Sequence, residues 1–301
     1  RRSRGASAFP YADDKHRREL HALPAERTSL LQRRQGAKGE TNMLKAVMTT
    51  TLAIGLAASA LADHHEPQGG GVVAMQAHYC TLNAGKDMAD VNQALAGWRK
   101  WTEDYSYNGW TAELTPQFDI AEGYDFYWLN FLPFSEMAGV LDNWAETGAA
   151  AQQAIDQVAS CKVALYGSRL KYPLVDESDL QTTKVLHVES CNMRENVDMS
   201  TLLARHDDFV ELNEEAQADY IWNIVWPMAG VPETFANGQK RTDFAHMVWY
   251  PSLTSQMAAL DGEANGSLRK ELANYRQAFA DCTGRNSYGV KIIHTPKRPW
   301  N

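Results

Sequence analysis

The chain has 301 residues, 22% of them charged, with 37 Asp/Glu against 29 Lys/Arg and a formal charge of −8. An acidic balance of this size repels phosphate backbones and anionic lipid, which argues against a nucleic-acid partner. The length allows one large domain or two of about 110 residues.

Residues 1–42 open with Arg1, hold ten Lys/Arg against five Asp/Glu and show no apolar periodicity. They read as a disordered, mis-called upstream extension with Met43 as the true initiator; a disordered basic arm is the alternative. Residues 43–62 carry the three parts of a secretory signal: Lys45, an apolar run from Ala46 to Ala58, and the small-residue cleavage site Ala60-Leu61-Ala62. The apolar run is shorter than the roughly 20 residues a membrane span takes. Cleavage after Ala62 predicts a periplasmic or secreted protein with no membrane attachment. Without residues 1–62, and so without eleven basic and five acidic side chains, 18 basic and 32 acidic residues remain, a formal charge of −14. Residues 63–71 read as a flexible tail whose opening Asp-His-His could chelate copper(II) or nickel(II). Cys80, Cys161, Cys191 and Cys282 all follow the signal. An even count in an oxidising compartment predicts disulfides, with three pairings open.

From Val72 onward strands and helices alternate. "VVAMQAHYC" (Val72–Cys80) is β-rich, and Asp87–Trp101 follows with Met88, Val91, Leu95, Trp98 and Trp101 at helical spacing. Two strands, "GWTAELTP" and "DFYWLNFLP", precede one helical segment from Ser135 to about Ser160 and the strand "KVALYGSRLKY". Residues 173–183 form a polar linker, and then the series recurs. A displacement of 111 residues sets Cys80 on Cys191, Asp87 on Asp198 and Pro116 on Pro227. Displacements of 118 to 122 set Asp125 on Asp243, Cys161 on Cys282 and Tyr166 on Tyr288. Residues 72–172 and 184–296 therefore read as two copies of one unit, followed by a tail over 297–301.

A β-α-β-β-α-β unit is ferredoxin-like. Two in tandem, with Trp- and Phe-rich strands, resemble the dimeric α+β-barrel superfamily, which includes antibiotic-biosynthesis-monooxygenase-like proteins. The resemblance implies an α+β fold in which two four-stranded sheets close face to face into one barrel with helices outside, here from a single chain. Two independent ferredoxin-like domains side by side are the alternative. The strand order 4-1-3-2 that it implies for each unit brings the end of strand 1 to the start of strand 4. It thereby implies the pairs Cys80–Cys161 and Cys191–Cys282.

Alternation along the strands sorts the remaining residues by face. The apolar rows Val73, Met75, Ala77 and Tyr79, then Tyr127, Leu129 and Phe131, then Leu186 and Val188, are expected to pack on the helices. The opposite rows are expected to face the lumen: Gln76, His78, Trp128, Asn130 and Arg169 from the first copy, and His187, Glu189, His246, Tyr250 and Lys291 from the second. Such a lumen predicts a small-molecule ligand, with His78 or His187 as a catalytic base and Gln76, Trp128, Asn130, Arg169, Tyr250 and Lys291 as binding residues. His187 and Glu189, with His246 on what is taken to be the neighbouring parallel strand, form a two-His-one-carboxylate set suited to iron, zinc or manganese. An internal hydrogen-bond network is the alternative. Some tandem members of the superfamily bind haem through a His; His206, where the first copy has Leu95, is the candidate ligand, with a satisfied core histidine as the alternative.

No phosphate-binding Gly loop, Gly-x-Ser-x-Gly elbow, His-Glu-x-x-His or dinucleotide fingerprint occurs. The expected function is small-molecule binding, with the cofactor-independent oxygenase-like or proton-transfer chemistry that the resemblance implies, in a monomer or homo-oligomer. A metal or haem enzyme and a non-catalytic binding or structural protein are the alternatives.

Overall fold

The alternation read from the sequence is the order of elements observed. β1 (Val72–Leu82), α1 (Met88–Asp104), β2 (Trp110–Phe118), β3 (Phe126–Leu132), α2 (Phe134–Thr147), α3 (Ala149–Asp156) and β4 (Ala159–Tyr172) make the first half. β5 (Val185–Met193), α4 (Met199–Glu215), β6 (Ile221–Ala229), β7 (Phe244–Tyr250), α5 (Leu253–Asn265), α6 (Leu268–Ala278) and β8 (Ala280–His294) make the second. The computed structural model describes residues 71–119, 123–172, 182–215, 218–234, 240–266 and 268–296. The signal segment 43–62, the extension before it and most of the linker lie outside the described residues. Among the described residues no helix is long and apolar enough to cross a membrane.

Each half is a sheet in the order β4-β1-β3-β2 or β8-β5-β7-β6, and the two join through β2·β8 and β4·β6 into one closed barrel. Closure rules out two ferredoxin-like domains side by side. This is the α+β-barrel fold that the resemblance implies, completed within one chain. Every neighbouring pair is antiparallel. His246 therefore lies on an antiparallel neighbour of the strand carrying His187 and Glu189, not on a parallel one. Cys80 faces Cys161 across β1 and β4, Cys191 faces Cys282 across β5 and β8, and both pairs are bonded as the strand order implied.

Local signals explain the helices. The Asp87 side chain accepts from the N–H of Ala89 (2.8 Å) and Asp90 (3.1 Å), and the Asp90 carboxylate accepts from the N–H of Asp87 (3.1 Å). This reciprocal cap satisfies donors that the first turn of α1 leaves open. Its apolar stripe then buries Val91, Leu95, Trp98 and Trp101 against the first sheet. The segment expected as one helix from Ser135 to about Ser160 is two, broken at Gly148. A Cβ there would stand 2.4 Å from the Trp144 ring, so only glycine lets the chain turn against that indole.

The sorting of strand faces is inverted in the structure. Met75, Ala77, Leu129 and Phe131 pack with Leu186, Val225, Ala245, Met247 and Trp249 from the opposite sheet inside the barrel. Trp128 and Leu132 pack with Leu95, Trp98 and Trp101 of α1. The apolar rows thus line the lumen, and the mixed rows lie under the helices. The physical reason is the supply of partners. A lumen walled by eight paired strands offers few groups to a buried polar side chain, which costs about 1–3 kcal/mol if left unpaired. The helix layer brings hydroxyls, indoles and imidazoles of its own.

Candidate functional site

The lumen encloses a cavity of about 680 Å³. This falls within the ~300–1,000 Å³ of sites that take small molecules. One end is plugged by Trp110, Phe131 and Trp249, whose rings meet edge-on at 5.3–6.1 Å. Both disulfides tie strands at the other end, where Thr81, Ser160, Lys162 and Ser190 border the opening. Between plug and mouth the wall is aliphatic, with a belt of phenols: Tyr79, Tyr124, Tyr127, Tyr166 and Tyr288. Tyr79 and Tyr166 share a hydrogen bond of 2.5 Å, and Tyr288 donates to the Asp119 carboxylate at 3.0 Å. Burial raises the Tyr79, Tyr127, Tyr166 and Tyr288 phenols, so at neutral pH they are uncharged donors. No histidine lines this cavity among the described residues. The expectation that His78 or His187 acts as a base inside the lumen is therefore corrected: both lie on the outer side of the wall.

Under the helices of the first half a cavity of about 140 Å³ is lined by Gln76, His78, Trp128 and Asn130. Asn130 Oδ1 accepts from Trp128 Nε1 (3.0 Å) and Thr111 Oγ1 (2.9 Å), while its amide donates to Gln76 Oε1 (3.1 Å). Three of the expected binding residues are thus brought together, in a knot of mutually satisfied groups. Burial holds the His78 imidazole down at about 4, and its ring lies 6.3 Å from that of Trp128. Arg169 sits on the same outer side, across β4·β6 from Ile224, with a buried Nε that lacks a partner. Lys291 reaches Asn92 on α1 and stands 3.8 Å from Glu113, apart from the other candidates.

Under the helices of the second half the cavity is smaller, about 100 Å³, and chemically denser. His187, Glu189, His246 and Tyr250 line it from the sheet, with His206 from α4 and Tyr275 from α6. Burial depresses the imidazoles of His187 and His246 to about 4 and that of His206 well below its ordinary value, so all three are neutral at pH 7. Their tautomers follow from the bonds. An indole N–H can only donate, so the 3.1 Å contact from Trp222 Nε1 makes His246 Nδ1 an acceptor and puts its proton on Nε2. That Nε2 donates to the Tyr275 hydroxyl (3.1 Å), which in turn donates to His206 Nε2 (2.8 Å). The chain Trp222→His246→Tyr275→His206 therefore runs one way and ends on a buried His206 Nδ1–H with no partner. His187 Nδ1 is likewise unpartnered. Glu189 accepts from Arg276 (2.8 Å) and Arg285 (3.1 Å), and Arg285 also pairs with Glu263.

These bonds test the candidate cofactors. His246 uses both ring nitrogens and Glu189 is held by two guanidinium groups, so a metal on His187, Glu189 and His246 would have to displace several of these partners. Among the described residues the one group of three ligand-type side chains whose atoms lie within 4.8 Å of one another is Cys191, His246 and Cys282. Its two sulfurs are bonded to each other, so neither is the thiolate that ligates metal. Beside His206 the space is about 100 Å³, below the ~300–1,000 Å³ of sites for drug-sized ligands, and Tyr275 occupies its Nε2. Haem does not fit there unless α4 and α6 separate.

No protein-family model and no curated protein matches the sequence. Among solved structures the chain is similar to a haem-binding protein from Thermus thermophilus, at 11% identity and a TM-score of 0.44, over 76% of this chain and 96% of that one. It is also similar to an anthrone oxidase-like protein, at 10% identity and a TM-score of 0.45, over 76% and 94%. A mutant chlorite dismutase from Candidatus Nitrospira defluvii matches at 8% identity and a TM-score of 0.44, over 72% and 90%. No function follows from likenesses this distant.

Sequence reasoning missed the phenol belt, Trp222, Tyr275, Arg276 and Arg285. The alignment of Tyr166 with Tyr288 was a usable signal for the belt. Arg285 shares a strand face with Lys291 by alternation alone. Tyr275 had no signal, because its partner His206 is 69 residues away.

Proposed function

We propose that this chain is an exported protein that binds a small, largely apolar molecule in its barrel lumen. The observation that carries the reading is the 680 Å³ space walled by all eight strands, open at one end and plugged at the other. The apolar wall would supply affinity, and the phenol belt would orient an oxygen acceptor on the ligand. The two disulfides support export, since they persist in oxidising compartments. A neutral fluorescent dye such as Nile red tests the lumen. Saturable binding is expected for the native protein and not for Ala77→Phe or Val188→Trp, which fill the cavity, with folding checked by circular dichroism. Unchanged binding in both filled variants would place the dye elsewhere and sink the proposal.

A second reading rests on the two unpartnered ring nitrogens, His187 Nδ1 and His206 Nδ1, at the helix-layer cavity of the second half. Proton transfer by a histidine would take place there rather than in the lumen. Histidine nitrogen shifts that respond to a bound ligand would favour it; shifts that ignore every lumen ligand would separate the two sites.

A further inference from the structure

The mouth of the lumen is charged with one sign. Lys162, Lys240 and Arg241 line it, and no Asp or Glu does among the described lining residues. That runs against the composition of a chain with eight more acidic than basic residues. Three carboxylates nearby in sequence are hydrogen-bonded to other groups. Asp125 accepts from the Leu82 N–H (2.7 Å), Asp243 from the Met193 N–H (2.8 Å) and Asp119 from the Tyr288 hydroxyl (3.0 Å). Lys162 lies opposite Tyr79, a member of the phenol belt, in the β1·β4 register and lines the lumen. Lys240 and Arg241 enter from the β6–β7 connection, where Lys240 bridges to Thr234 and the Arg241 N–H donates to the Glu233 carbonyl (2.9 Å). Below the belt the wall turns aliphatic: Met75, Leu129, Leu186 and Met247.

We propose that the lumen ligand is an amphiphilic carboxylic acid, bound with its carboxylate at the mouth among Lys162, Lys240 and Arg241 and its apolar body directed toward the Trp110–Phe131–Trp249 plug. This rests on the lumen reading above and adds the chemical class to it. Three cations around a low-dielectric opening focus their field along its axis, favouring a single negative head at the rim and disfavouring it at the apolar floor. In the Tyr79–Tyr166 pair one hydroxyl proton is spent between the two rings, and the other is a neutral donor to the carboxylate from beneath.

Competition against lumen-bound Nile red tests the head group with two probes of one length, dodecanoate and dodecanol. Dodecanoate is expected to displace the dye at about tenfold lower concentration than dodecanol, a difference that shrinks with added salt. The triple variant Lys162→Gln/Lys240→Gln/Arg241→Gln is expected to bring the acid to the potency of the alcohol, each displacement being scaled to the dye affinity of that same variant. Equal displacement by acid and alcohol in the native protein would overturn the head-group assignment and leave the lumen site standing. An acid preference that persists in the triple variant would overturn it as well. Failure of the dye to bind, or binding indifferent to Ala77→Phe and Val188→Trp, would remove the lumen site itself.

Discussion

The histidines show how far a single residue type can be read. His206 was legible as either a haem ligand or a satisfied core side chain; it is fully buried and bonded to Tyr275 at 2.8 Å through one ring nitrogen, while the other nitrogen has no partner. Direction was out of reach from sequence, because it needs the indole of Trp222 at one end of the chain of bonds. Burial has a consequence for stability. His78, His187 and His246 have folded-state values of about 4, against about 6.5 in an unfolded chain. Between those values the unfolded state binds more protons than the folded one, so stability rises with pH across this window and is flat above it. Each group contributes about 1.4 kcal/mol per unit of displacement at most. Urea midpoints measured from pH 4.5 to pH 8 should climb to about pH 6.5 and then level, with a shallower climb in His187→Asn. A midpoint that falls with rising pH below 6.5 would contradict the buried neutral state.

At the scale of elements, strand order and disulfide partners were legible and strand orientation toward the core was not. The pattern in β1 is an apolar row backed by a mixed one, and period-2 alternation gives two faces without saying which is inside. The usual rule, polar toward water and apolar toward helices, fails here because neither face of the sheet meets solvent. The more uniformly apolar row belongs to the closed lumen; Trp128 and Asn130 sit in the mixed row because α1 and its flanking segment bring Trp98 and Tyr107 to meet them. The break at Gly148 was missed because Trp144 and Gly148 are one helical turn apart, a spacing that reads as continuous helix. The disulfides join β1 to β4 and β5 to β8 at the mouth, closing separations of 81 and 91 residues. Replacing Cys191 and Cys282 together by Ala should lower unfolding stability by about 2–5 kcal/mol. An unchanged denaturant midpoint would mean that the β5·β8 ladder holds the mouth without its covalent tie.

For the whole molecule, the repeat read from the sequence suggested a barrel but did not prove that it closes, since two four-stranded sheets can also stand apart. What decides it lies at the seams. β2 pairs with β8 from Thr111↔His294 to Phe118↔Ser287, and β4 pairs with β6 from Leu165↔Ala229 to Tyr172↔Trp222. Each seam joins a strand of one half to a strand of the other, and neither sheet keeps an open edge. A barrel assembled from two separate chains obeys mass action, and thinning the solution empties its cavity by pulling the halves apart. Here the halves are tethered, so closure is a unimolecular event with a fixed effective concentration. Dye affinity should hold constant as the protein is diluted from tens of micromolar to nanomolar; a fall on dilution would show that the cavity draws on a second molecule. A vessel sealed by its own chain keeps its shape at any scarcity of its kind.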